Sequence, residues 1–196
     1  MRVVNANEPR TRGRPRRTET DEQIVRATQE LIREHGPESV NVAAVSSRSG
    51  VARTTIYRRY QDRQALLTAA LQPITERHSP PEELSVPQKV DWVLARTEDV
   101  LGREIGPGGV ASVIANTDPE FSSALRRSLE RGLEPLLAQI ASDVAAGELV
   151  ADADPDLLLN LIIGSYLAES LRRGTPGTRW RKQTAALLSR LMVPSG

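Results

Sequence analysis

The chain has 196 residues, 26 Lys+Arg against 25 Asp+Glu, and no cysteine, a length that holds one sizeable core or a small domain joined to a larger one. The missing cysteines exclude disulfides, thiolate nucleophiles and thiolate zinc sites, and no apolar run reaches the roughly 18 residues that span a bilayer. Charge is uneven: residues 1–63 carry 13 arginines and 8 acids, residues 64–196 carry 13 Lys+Arg and 17 acids, so the front suits a polyanion and the rear does not.

Residues 1–18 hold six arginines with Pro9, Gly13 and Pro15 and no periodicity, which predicts a disordered basic N-terminal arm. Within it, Arg12-Gly13-Arg14-Pro15 matches the core of an AT-hook, whose arginines enter the narrow minor groove of A·T-rich DNA; the plainer alternative is a basic tail with non-specific attraction. The arginine-rich start has no apolar core of a secretory signal, so a cytoplasmic protein with no membrane partner is expected. A first helix opens at Thr20. Thr20 and Gln23 form a capping-box pattern, Asp21 and Glu22 complement the helix dipole, and Ile24, Ala27 and Leu31 mark an apolar stripe that stops at His35-Gly36-Pro37.

Residues 42–60 then read as a helix, a tight glycine turn and a second helix. Val45, Val51 and Ile56 supply the contacts between the two, Ser46 is small enough for close approach, and Gly50 permits a positive φ. The face opposite that seam shows Arg53, Thr54, Thr55, Tyr57, Arg58 and Arg59. Arginine forks onto guanine or phosphate, threonine offers a hydroxyl or a methyl to base edges, and tyrosine reaches a phosphate oxygen; a helix of this width fits the major groove of double-stranded DNA. Asn41 is the expected N-cap of the first of these helices and Asp62 that of the next, with Ala65, Leu66, Ala69 and Ala70 as its apolar positions and Pro73 expected to bend or end it. The helix-turn-helix domain is thus placed at residues 19–65 and a larger helical domain at 66–196.

Beyond the loop Ser79–Pro87, residues 89–101 have helical spacing, and Gly106-Pro107-Gly108-Gly109 is read as a turn between helices. Asp118-Pro119-Glu120 opens a long helix through Phe121, Leu125, Leu129, Leu136, Ile140 and Val144, with a kink expected at Pro135. Asp154-Pro155-Asp156 repeats that start signal ahead of residues 157–171, and a last helix covers about 178–192. No strand alternation is present, so the fold class is all-α with about nine helices. The 157–171 helix is apolar on more than one face, which one protomer cannot cover on both sides. A homodimer is therefore expected through a four-helix bundle, with Leu158, Ile162, Tyr166, Trp180, Leu187, Leu188 and Leu191 at the interface. Two-fold symmetry presents two recognition helices to an inverted-repeat operator. Neither histidine, His35 or His78, has a second ligand at helical spacing, and no nucleophile elbow or phosphate-cradling glycine loop occurs, so no metal, cofactor or enzymatic activity is expected.

Residues 20–67 resemble the TetR family of bacterial transcriptional regulators. The resemblance is carried by Gly50-Val51-Ala52-Arg53-Thr54-Thr55-Ile56-Tyr57-Arg58-Arg59-Tyr60, then Asp62-Arg63 and Ala65-Leu66-Leu67. Ala52 departs from the pattern, standing where the family commonly has a capping serine; Thr54 stands where glycine is frequent. The resemblance implies base or phosphate contact by Arg53, Thr54, Thr55, Tyr57 and Arg59, phosphate contact by Arg63, and core roles for Ile56 and Tyr60. It also implies a repressor released from its operator by a small-molecule effector held in the larger domain, where Trp92, Arg96, Ile114, Phe121, Leu125, Leu129 and Tyr166 are the candidate pocket residues. The alternative is a dimeric DNA-binding protein with no effector, its C-terminal domain serving dimerisation or protein contact.

Overall fold

The computed structural model describes residues 16–75, 80–150 and 154–192. Among these residues the regular elements are nine α-helices: α1 (Arg16–His35), α2 (Val42–Ser49), α3 (Arg53–Arg59), α4 (Arg63–Thr75), α5 (Val86–Glu98), α6 (Gly106–Ala115), α7 (Pro119–Ala145), α8 (Pro155–Arg173) and α9 (Thr178–Met192). A 3-10 turn, Pro37–Ser39, joins α1 to α2, and a π-helical stretch, Asp99–Glu104, prolongs α5. The all-α architecture read from periodicity is the observed one.

Local chemistry explains most of the boundaries. The side chains of Asn41, Asp118 and Asp154 each accept from a backbone N–H in the first turn of α2, α7 and α8, at 2.9 Å in all three cases, and Asp62 does the same for Ala65 at 2.7 Å. Each bond satisfies a donor that a helix start leaves orphaned. Three boundaries differ from the sequence reading. α1 begins at Arg16, ahead of Thr20, so residues 16–18 belong to a helix, while Arg12 and Arg14 lie outside the described residues. α4 runs past Pro73 to Thr75. The expected break falls at Ile105–Gly106, where Gly106 is left-handed (φ 71°), but the rest of the glycine cluster is the first turn of α6, with Gly106 and Gly108 directly against the backbone of Arg33 and Gly36 at the end of α1. Pro107 occupies the position where a helix loses nothing by lacking an N–H.

Two cores hold these helices. The first gathers Ile24, Val45, Ile56, Leu66, Leu71, Ile105 and Phe121 and so joins α1–α4 to α7 across the boundary expected at residue 65. The second packs α5, the rear of α7, α8 and α9 around Leu94, Leu136, Ile162, Tyr166, Trp180 and Leu188. Every large apolar side chain fully removed from water contributes about 1.5–3 kcal/mol, which fixes the orientation of α3.

Candidate functional site

The α2–α3 corner is closed by packing and by hydrogen bonds. Val45 and Ile56 are 0% exposed, and Gly50 is left-handed (φ 71°) with its N–H donating to Ser46 O at 3.0 Å. Ser46 Oγ donates across the turn to Val51 O at 2.7 Å, which gives the small residue at that position a second use. Ala52 stands at the α3 N-cap with no side-chain bond, as its chemistry dictates. With the seam fixed, Arg53, Thr54, Tyr57 and Arg58 point to solvent and Thr55 is half-buried. Tyr57 is 59% exposed, high for a large aromatic side chain.

The other two arginines expected on DNA are turned inward. Arg59 Nη1 lies 2.6 Å from Asp21 Oδ2 on α1, and Tyr60 is half-buried beside the same carboxylate, its hydroxyl pKa raised by burial and by that charge. Arg63 Nε donates to Val40 O at 2.9 Å, Nη2 to Pro37 O at 2.7 Å, and Nη1 to Glu120 Oε2 at 2.5 Å, while Nη2 also bonds Asp118. Its charge therefore ties the helix-turn-helix to the start of α7. Glu38, in the 3-10 turn, makes a parallel tie by accepting from Thr117 and, at 3.3 Å, from Ser112 on α6. The bond from Thr117 holds the Glu38 carboxyl below its usual range. Burial pushes Asp118 up, but the bonds from Arg63 and from Phe121 N–H outweigh it and leave that carboxyl low as well. Asp21, Asp118 and Glu120 are remote in sequence from the arginines they hold, so charge type was legible there and pairing was not.

A cavity of about 200 Å³ opens between α5, α6, α7 and α8. Five of the expected pocket residues line it: Trp92, Arg96, Ile114, Leu125 and Leu129. Phe121 does not; it is fully buried in the first core, because its side chain projects toward α1–α4. Tyr166 lines an adjoining chamber of about 400 Å³ together with Ser170 and Thr175. Sequence reading missed Val100, Leu101 and Ile105, which reach the cavity from the π-helical stretch and its end, and Ile163 and Leu167 on α8. The i, i+4 spacing of the last two was the available signal. Among the described residues Arg96 is the cavity's one charged lining residue, and its Nη1 and Nη2 lie 2.5 and 3.2 Å from the two oxygens of Glu104, with Nη2 also donating to Ile74 O.

On the outer surface Leu157, Leu161, Leu187 and Leu191 are all more than half exposed. Of the expected interface residues, Leu187 and Leu191 lie on this face and Leu158 is half-buried. Ile162, Tyr166, Trp180 and Leu188 are instead buried within the chain, with the Tyr166 and Trp180 rings edge-to-face at 5.4 Å. A helix apolar all round does not disclose which face turns inward, and here the 159/162/166 face does. Among the described residues no helix is long and apolar enough to cross a membrane, and no group of three or more His, Asp or Glu is placed to hold a metal ion.

Residues 24–70 match the family model for bacterial regulatory proteins of the tetR family. The chain is 26% identical over 187 residues to the HTH-type transcriptional regulator Rv1556 of Mycobacterium tuberculosis, covering 92% of this chain and 88% of that one. The fold is similar to that of tylp, a TetR regulator from Streptomyces fradiae (TM-score 0.72, 18% identity, 91% and 89% of the two chains). It is also similar to a transcriptional regulator from Saccharomonospora viridis solved with choline (TM-score 0.66, 16% identity, 91% and 100%). The helix-turn-helix geometry and these likenesses agree: residues 24–70 match the DNA-binding region of the tetR-type bacterial regulatory proteins, and the chain as a whole is similar to HTH-type transcriptional regulators.

Proposed function

We propose that the protein is a homodimeric repressor that holds an inverted-repeat operator and releases it when a small molecule fills the cavity beneath α6. The observation that carries this reading is the double attachment of α6. Val110 and Ile114 face the cavity, while Gly108 abuts Gly36 and Ser112 bonds Glu38 in the DNA-binding head. A ligand that prefers a displaced α6 changes the setting of the head, and differential affinity of this kind is what moves such an equilibrium. The choline complex of the Saccharomonospora viridis protein supports a body of this fold that accommodates a small molecule.

Arg53, Thr54, Thr55, Tyr57 and Arg58 are the residues assigned to the major groove, with Arg12 and Arg14 reaching the minor groove from the arm. Arg59 and Arg63 act as struts that orient the reading helix. Operator fragments selected from genomic DNA provide the test. Tyr57→Ala and Arg53→Ala each weaken operator binding by about 1–3 kcal/mol without altering the melting temperature, and undiminished binding by both variants removes α3 from the groove. The second copy is expected on the Leu157/Leu161/Leu187/Leu191 face. Leu161→Arg with Leu191→Arg therefore yields a folded monomer in sedimentation, which cannot bridge two half-sites.

A further inference from the structure

The inner cavity and the outer chamber share Leu101, Val110, Ile114 and Leu167 in their walls, so one molecule that parts these side chains occupies both. Their chemistry differs. Among the described residues the inner wall is aliphatic apart from Trp92, Thr97 and Arg96; the Thr97 hydroxyl already donates to Val93 O at 2.9 Å, and the Arg96 charge is met by Glu104, with only its buried Nε lacking a hydrogen-bond partner. Among the described residues the outer wall contains no Asp, Glu, Lys or Arg, and it includes the hydroxyl-bearing Tyr166, Ser170 and Thr175. Ser170 donates to Tyr166 O within its own helix. The Tyr166 hydroxyl lies 2.8 Å from the position a Cβ on Gly102 would take, closer than such a Cβ would allow, so the missing side chain at position 102 leaves room for that oxygen beside the chamber wall.

Among the described residues a ligand carrying a net charge would find no unpaired opposite charge in either chamber, and burying an uncompensated charge is strongly unfavourable. An entirely apolar ligand would offer the Tyr166 hydroxyl no hydrogen-bonding partner. We infer that the site takes an uncharged amphiphile, with an aliphatic body in the inner cavity and a single hydroxyl or carbonyl end at Tyr166. This inference rests on the ligand-responsive reading above. The inner volume of about 200 Å³ exceeds the roughly 150 Å³ engineered cavity that holds benzene, so a body of a medium-length or branched carbon chain fits. Burial raises the Tyr166 pKa, which keeps the hydroxyl a donor at neutral pH.

The test uses the full chain and three probes of one length, 1-octanol, octanoate and octylammonium, titrated at neutral pH below their micellar concentrations and followed by tryptophan emission, Trp92 being in the wall, and by melting temperature. Saturable binding of 1-octanol, with both charged probes weaker by about tenfold or more, is the expected result. Octanoate or octylammonium binding as tightly as 1-octanol, or no saturable 1-octanol binding, overturns the inference. Tyr166→Phe is expected to weaken 1-octanol by about five-fold, and unchanged affinity overturns the polar end assigned to it. Adding operator DNA separates the two readings. 1-Octanol that binds without loosening DNA sinks the release mechanism and supports the ligand class, whereas DNA released by octanoate alone does the reverse.

Discussion

Around α2 and α3 the apolar side chains close on one another, with Val45, Ile56, Leu66 and Leu67 all exposed by 1% or less. Between α5 and α8 residues of the same types stand back from a void of about 200 Å³, and five leucines of α8 and α9 face solvent. The head is complete within one chain, as a surface that must match a rigid duplex requires. The body still has contacts to make, and hollow space and open surface are where an added molecule has the most to gain.

The widest test of this contrast is a pair of truncations. Ile56→Ala is expected to lower unfolding free energy by about 3–4 kcal/mol, because a filled site pays for both the lost methylenes and the new cavity. Leu129→Ala should cost under about 2 kcal/mol, since its side chain already lacks neighbours on the cavity side. Equal losses in urea titration would erase the distinction.

Asp118→Asn probes the junction between the two regions. Asparagine keeps the cap on α7 but withdraws a carboxylate from Arg63, and a loss of about 1–3 kcal/mol at neutral pH follows. The sign of the pH effect is set by the lowered pKa values of Asp118 and Glu38. Stability from a depressed carboxylate is fully present above its ordinary range and fades as acid protonates it in the fold, so the native chain weakens below about pH 4 more steeply than the variant. Superimposable acid profiles would show that the junction contributes nothing. The smallest effect is a gain: Ala52→Ser supplies the absent cap on α3 and is expected to add about 0.5–1 kcal/mol to stability, with no gain in a thermal melt counting against the cap geometry.

Features written in adjacent residues were legible in the sequence. Asn41, Asp62, Asp118 and Asp154 cap helices three residues away, and the Gly50 corner needs only local geometry, so helix order and the exposed face of α3 followed from pattern. Features settled by distant residues were not. Arg59 and Arg63 carry the charge that DNA attracts, yet Asp21, Asp118 and Glu120 claim them first. Gly106 makes the turn its composition promises, but Pro107–Gly109 are already helical, because close packing on α1 overrides propensity there. The pocket was legible as a neighbourhood, and Phe121 was misplaced because periodicity gives spacing along a helix without saying which neighbour each side will meet.

That glycine seam has a genetic corollary. A methyl on Gly108 would lie 3.0 Å from Gly36 N, and one on Gly109 2.6 Å from an Ile105 methyl. Alanine at either position would act as a wedge driven between α6 and the end of α1. If α6 relays a signal as proposed, screens for variants frozen in one state should recover changes here, and suppressors of them at Ile32 and Ile105, where the wedge would press.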